Sequence, residues 1–183
     1  MKGIIFNIIE EFIGENWGEE KYEEILGLCP LHTKEPFVGP GTYPDSDLIS
    51  IVEKAAEILE ISVPDVLRAA GKFMFPKLVE KFPQFIALHK HPKDFLVTID
   101  SVIHVEVKKL YRDAETPRFQ FTSPAPNKLA FDYQSKRKFC ALVEGMLDGV
   151  AEHYKMPIQY HQTKCTHKGD TDCHFELQFG SRA

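Results

Sequence analysis

The stretch FLVTIDSVIHVEVKKLY, residues 95–111, carries two periodicities at once. Phe95, Ile99, Ile103, Val107 and Tyr111 recur every fourth residue, with Leu96, Val102 and Leu110 beside them, which is the spacing of one helix face. Val102 to Val107 is also rich in β-branched residues and partly alternates, which argues for a strand. The length of the segment and its sustained fourfold spacing decide for one long apolar helix with His104 near its middle. A lone histidine there is either a packed core residue or a ligand, and the segment by itself leaves both open.

Beyond Thr116-Pro117 the period changes to two. Phe119 and Phe121 alternate, then Leu129, Phe131 and Tyr133, with Ser123 to Asn127 as the turn between two strands. Lys138 to Tyr154 returns to helical spacing through Phe139, Leu142, Val143, Met146, Leu147 and Val150. Two more strands follow, Pro157 to Cys165 and Asp172 to Phe179, joined across Lys168-Gly169-Asp170.

Toward the N-terminus the chain is helical. Ile4, Ile5, Ile8, Ile9, Phe12 and Ile13 form the apolar face of a first helix, and Tyr22, Ile25 and Leu26 that of a short second one. Cys29 to Pro44 is rich in proline and glycine and reads as a connection. Asp45 or Ser46 caps a helix bearing Leu48, Ile49, Val52, Ala56 and Leu59, and Ser62 with Asp65 resembles a capping box for the next. Five phenylalanines between residues 73 and 95 form a flat apolar wall, or ordinary core. The expected architecture is α+β. A helical N-terminal lobe (1–65) precedes a lobe (66–183) built on a four-stranded antiparallel sheet with packed helices, in a single domain over 1–183.

A length of 183 residues suits one domain with a substantial core. The formal net charge of −5 gives no reason to expect nucleic acid or an anionic membrane as a partner. Asn7, Glu10 and Glu11 break the first apolar run too early for a signal sequence, and no stretch reaches the roughly 20 apolar residues that span a bilayer. These features point to the cytoplasm, where the four cysteines are reduced or metal-bound rather than paired.

Tyr133, Ser135 and Arg137 stand at alternate positions, so an extended chain points all three the same way. A guanidinium flanked by two hydroxyls suits a carboxylate or phosphate, and the bland alternative is a solvated strand edge. Cys140, Cys165 and Cys173 are a second constellation. His161 lies four residues before Cys165 and so shares its strand face; His167 and His174 are nearby alternatives. Together they suit a Cys₃His structural zinc site, or three packed thiols.

His104 on a long apolar helix, then Pro117, then Tyr133-x-Ser135-x-Arg137 resembles the haem nitric oxide/oxygen-binding family, the H-NOX domains. The resemblance covers nearly the whole chain, including the Met1-Lys2-Gly3-Ile4-Ile5 opening. It implies haem b buried between the lobes, with His104 as the iron ligand and Tyr133, Ser135 and Arg137 holding the propionates. It implies that Pro117 presses on the porphyrin, where the residues alone equally allow a helix-to-strand breaker. Oxygen-binding members carry a tyrosine five residues beyond the motif arginine, and here that position is Leu142. The expectation is therefore a sensor of nitric oxide, with carbon monoxide as a second ligand, that excludes oxygen. Its pocket candidates are Ile5, Phe73, Phe75, Leu142 and Met146. The resemblance also implies zinc at the cysteines, and a histidine kinase or cyclic-di-GMP enzyme acting as a separate signalling partner. The rivals are a metal or thiol enzyme built on Cys140, His161, Cys165 and Cys173, and a zinc- or thiol-based redox-sensing interaction module without haem.

Overall fold

The computed structural model describes residues 1–181. Helices α1 (Gly3–Trp17), α2 (Glu19–Leu28) and α3 (Asp45–Ile58) bury Phe6, Ile8, Ile13, Ile25, Leu48 and Ile51 against one another, as their apolar spacing predicts. Helix α4 (Val63–Lys81) begins at Ser62, whose hydroxyl accepts from the Asp65 N–H at 3.2 Å, the interaction expected of that spacing. Helix α3 starts differently. Neither Asp45 nor Ser46 caps it; Asp45 is its first residue, and its carboxylate is turned instead to the Met1 ammonium and Arg137.

Residues 92–110 are helical but not one helix. Helix α5 (Pro92–Leu96) ends where the Thr98 hydroxyl donates to the Phe95 carbonyl at 2.6 Å, an alternative to the backbone ladder. A π-helical turn, Ile99–Ile103, then leads into α6 (His104–Leu110), so the histidine opens a helix rather than lying in the middle of one.

Strands β1 (Arg118–Ala125), β2 (Lys128–Gln134), β3 (Ile158–Lys164) and β4 (Cys173–Phe179) form one antiparallel sheet in the order β1-β2-β4-β3. The connection between β1 and β2 is shorter than expected. β1 runs on to Ala125 after a register shift beyond Thr122, leaving Pro126 and Asn127 as the turn. Helix α7 (Cys140–Tyr154) lies between the sheet and α4. Phe131, Phe175, Leu177, Leu147 and Val150 form a second core, distinct from that of the N-terminal helices. Helix α4 serves both, with Val66, Ala70 and Met74 in the first and Phe75 in the second. Among the described residues no helix is long and apolar enough to cross a membrane.

The connection after α2 is held by Asp47, which is 0% exposed. Its oxygens accept from the His32 and Thr33 N–H groups at 3.0 Å each and from the Thr33 hydroxyl at 2.6 Å. Burial pushes this carboxyl up, but those donors outweigh it and hold its pKa below the ordinary 3.8. A depressed carboxylate contributes stability that is present above 3.8 and lost as pH falls through the lower folded value. Asp47→Ala is expected to cost about 2 kcal/mol in urea unfolding at pH 7 by leaving these donors unpaired. Its stability should also change less than that of the parent protein as the pH is lowered below 3.8.

Candidate functional site

A cavity of about 580 Å³ opens between the two cores. Its walls are largely apolar and come from α1, α4, the 95–107 segment, β1, β2 and α7. Ile5, Phe75, His104, Pro117, Tyr133, Ser135, Arg137, Leu142 and Met146 all line it. Phe73 does not. Two residues along a helix are about 200° apart, so Phe73 and Phe75 cannot share a face; Phe73 packs against Phe12, with ring centroids 5.6 Å apart, and lies under Lys77. The α4 residues Met74, Leu78 and Val79 line the cavity as well. Their fourfold spacing from Phe75 and Met74 was the signal in the sequence.

His104 is held from one side. Its Nδ1 lies 3.3 Å from Asp100 Oδ1, and the same oxygen accepts from the Phe119 N–H at 3.3 Å. With Nδ1 engaged, Nε2 is the nitrogen left to bind a metal. Burial holds the imidazole pKa below its usual value, although Asp100 pulls the other way, so the ring is neutral at pH 7. Asp100 stands four residues before His104, the spacing that sets two side chains next to each other on a helical face.

The three clamp residues do converge, by a different route from the one expected. β2 ends at Gln134; Tyr133 points inward from the strand, while Ser135 and Arg137 are delivered by the turn that follows, where Lys138 takes φ 53°. Burial pushes the Tyr133 hydroxyl up to about 12, so it remains a donor. Ser135 Oγ accepts from the Arg137 N–H at 3.2 Å. The guanidinium donates from Nη1 to the Glu115 carbonyl at 2.9 Å. Its Nε lies 2.8 Å from Asp45 Oδ2, yet that N–H is not aligned with the oxygen and has no hydrogen-bond partner, and the buried Thr116 hydroxyl has none either. A buried hydroxyl without a partner and an ion-paired guanidinium, beside a tyrosine and a serine at the mouth of an apolar cavity, suit an entering carboxylate.

Asp45 joins this group from the other lobe. Its second oxygen is 2.8 Å from the Met1 ammonium. Burial would push the Asp45 carboxyl up; the two cations reverse that and hold it below the usual carboxylate value. Sequence reasoning placed Asp45 as a helix cap because its partner Arg137 is remote along the chain.

A family model for haem-NO-binding domains matches residues 2–162. The chain belongs to the haem-NO-binding family. It is similar to an H-NOX protein from S. oneidensis solved in the Fe(II)NO ligation state, at 30% identity and a TM-score of 0.93, covering 99% of this chain and 100% of that one. It is 34% identical to an IWP-051-bound H-NOX from Shewanella woodyi in the Fe(II)CO ligation state, with a TM-score of 0.85 over 100% and 96% of the two chains. An unliganded Fe(II) H-NOX protein from K. algicida matches at 26% identity and a TM-score of 0.91, over 99% and 97%. H-NOX domains are a haem-based gas-sensing family, and the residues of this cavity fit haem: an apolar slot, one imidazole, and a guanidinium with three hydroxyls at one edge.

The zinc expectation fares differently. The thiol sulfurs of Cys140, Cys165 and Cys173 lie within 4.8 Å of one another, and all three residues are buried. Among the described residues no histidine or carboxylate joins that group. His161 is exposed and sits across from Glu176 on the outer sheet face, because β3 carries an irregularity between Gln162 and Lys164 that shifts the register. A regular strand would have put residues 161 and 165 on one face; the extra residue separates them. The other candidates are engaged elsewhere, His167 Nε2 with the Lys138 carbonyl at 2.8 Å and His174 Nδ1 with Asp132 at 2.6 Å. Burial first, then its neighbouring thiols, raises the Cys140 pKa above its ordinary value, which makes the metal-free Cys140 a poor nucleophile. Cys29 is remote from this group and donates to the Ser50 carbonyl at 3.5 Å.

Proposed function

We propose that this H-NOX domain senses nitric oxide, takes carbon monoxide as a second ligand, and excludes oxygen. The observation that carries this reading is the composition of the cavity wall contributed by α1, α4 and α7. Ile5, Met74, Leu78, Leu142 and Met146 line it, and none of them can donate a hydrogen bond. Haem, when bound, supplies an iron with one position open to a diatomic gas. His104 would supply the nitrogen that holds the iron, and Asp100 fixes its tautomer and orientation. Tyr133, Ser135 and Arg137 would hold the carboxylates, and Pro117, rigid and without an N–H, would pack against the ring. Retention of oxygen depends on a hydrogen bond from the wall, whereas nitric oxide needs little such help. Leu142→Tyr is expected to let the ferrous protein hold oxygen long enough for a distinct spectrum in air, a gain of about 1.5 kcal/mol or roughly tenfold. An unchanged spectrum would remove wall polarity as the determinant.

In this reading the domain is a cytoplasmic sensor, not an enzyme, and its output passes to a histidine kinase or a cyclic-di-GMP enzyme. The contact that supports coupling is Asp45. It belongs to α3 and ion-pairs with Arg137 of the clamp. A group that draws on Arg137 competes with Asp45, so occupancy of the clamp biases how the N-terminal helices sit on the sheet lobe. That bias becomes a switch when the gas binds one of the two arrangements more tightly. Zinc at the cysteines would find three of the four protein ligands expected of it.

A further inference from the structure

We propose that Cys140, Cys165 and Cys173 form a three-thiolate site for one soft monovalent ion of the copper(I) class, in place of a four-ligand zinc site. The inference is independent of how the haem cavity is read.

Three features carry it. First, the sulfurs converge tightly: Cys140 and Cys165 are 3.9 Å apart and all three lie within 4.8 Å of one another. Thiols this close surround a single ion rather than a polynuclear cluster. Second, among the described residues no histidine or carboxylate completes the group, and the polar side chain that the sheet register sets on the same face is that of Gln162. It pairs with Phe175 and so shares the inner sheet face with Cys173, and its Nε2 is buried without a hydrogen-bond partner. A neutral carboxamide is a poor substitute for the imidazole or thiolate that closes a structural zinc site. Copper(I) is soft and is satisfied by three thiolates, so it does not need the missing ligand.

Third, hydrogen-bond donors already face one of the sulfurs. The Thr166 N–H and hydroxyl both lie 3.4 Å from Cys173 Sγ. Each thiol that binds the ion releases its proton to solvent, and the ion enters and leaves without changing oxidation state.

The test is metal competition on the haem-loaded protein under anaerobic, reducing conditions. Copper(I) is partitioned against bathocuproine disulfonate and zinc against pyridylazoresorcinol. The expected result is one copper(I) per chain with an all-sulfur shell by X-ray absorption at the copper edge, while zinc is stripped. Cys165→Ser should weaken copper(I) capture by about a hundredfold, roughly the share of one metal–sulfur bond, and Cys29→Ser should leave it unchanged. Gln162→His should raise zinc retention by tenfold or more, on the order of a second-sphere to first-sphere gain. The proposal is overturned if the wild-type protein keeps one zinc in a four-ligand shell against the chelator. It is equally overturned if folded Cys165→Ser, judged by its circular dichroism, binds copper(I) as the parent does. Should Cys165→Ser fail to fold, the copper-edge spectrum of the wild type decides: nitrogen or oxygen in the shell contradicts the assignment.

Discussion

His104→Gly is expected to remove the imidazole that lines the cavity, so that haem would be held by the clamp and by shape alone. Haem retention should fall roughly a hundredfold, the order of free energy that accompanies loss of one metal–nitrogen bond. Added imidazole should restore both the absorption spectrum and the iron–nitrogen stretch in resonance Raman, because the vacated volume sits where Asp100 and the Pro117 segment can still position a free ring. Iron coordination that is the same before and after the substitution would refute the assignment of His104. The alternative for this residue, a packed core histidine, predicts a loss of folding stability with no imidazole response.

The second large effect lies in the wall facing α6. Helices α4 and α7 approach so closely that a Cβ built on Gly145 would come 1.8 Å from the Arg68 carbonyl oxygen and 2.9 Å from the Lys72 nitrogen. Both neighbours are backbone, so no side chain can swing away and the helices must part. Gly145→Ala is therefore expected to cost about 3 kcal/mol, the upper end of ordinary overpacking. Leu142 and Met146 flank Gly145 on α7 and line the cavity, so haem retention should fall with stability. Gly27→Ala, where a Cβ would meet nothing within 4 Å, provides the contrast: it should be neutral or stabilising by up to about 1 kcal/mol in thermal unfolding.

The alternation of Phe119, Phe121, Leu129, Phe131 and Tyr133 and the helical spacing of α1, α3 and α7 were enough to give an α+β chain with four antiparallel strands, because burial on one face imposes those periods. Features that depend on a single local hydrogen bond were not legible. Thr98 interrupts the 95–111 helix through its own hydroxyl, and the apolar spacing is blind to that. The face of His161 could be read only by assuming a regular strand, and one extra residue in β3 reverses it. Phe73 was grouped with Phe75 by composition, although helix geometry alone separates them. The sequence marks Asp45 only as a helix cap and Thr116 only as the residue before Pro117, because their roles come from Arg137 and the cavity mouth, both remote from Asp45 along the chain. The cysteines were visible as a group of three; what the sequence could not supply was whether a fourth ligand reaches them.

The ferrous, haem-loaded protein, first in air and then under nitric oxide, provides the most direct test. A donor-free wall predicts that the ferrous absorption spectrum in air stays that of the unliganded protein, and that adding nitric oxide shifts it at once. A stable ferrous–oxygen spectrum in air, or no change on adding nitric oxide, would contradict it.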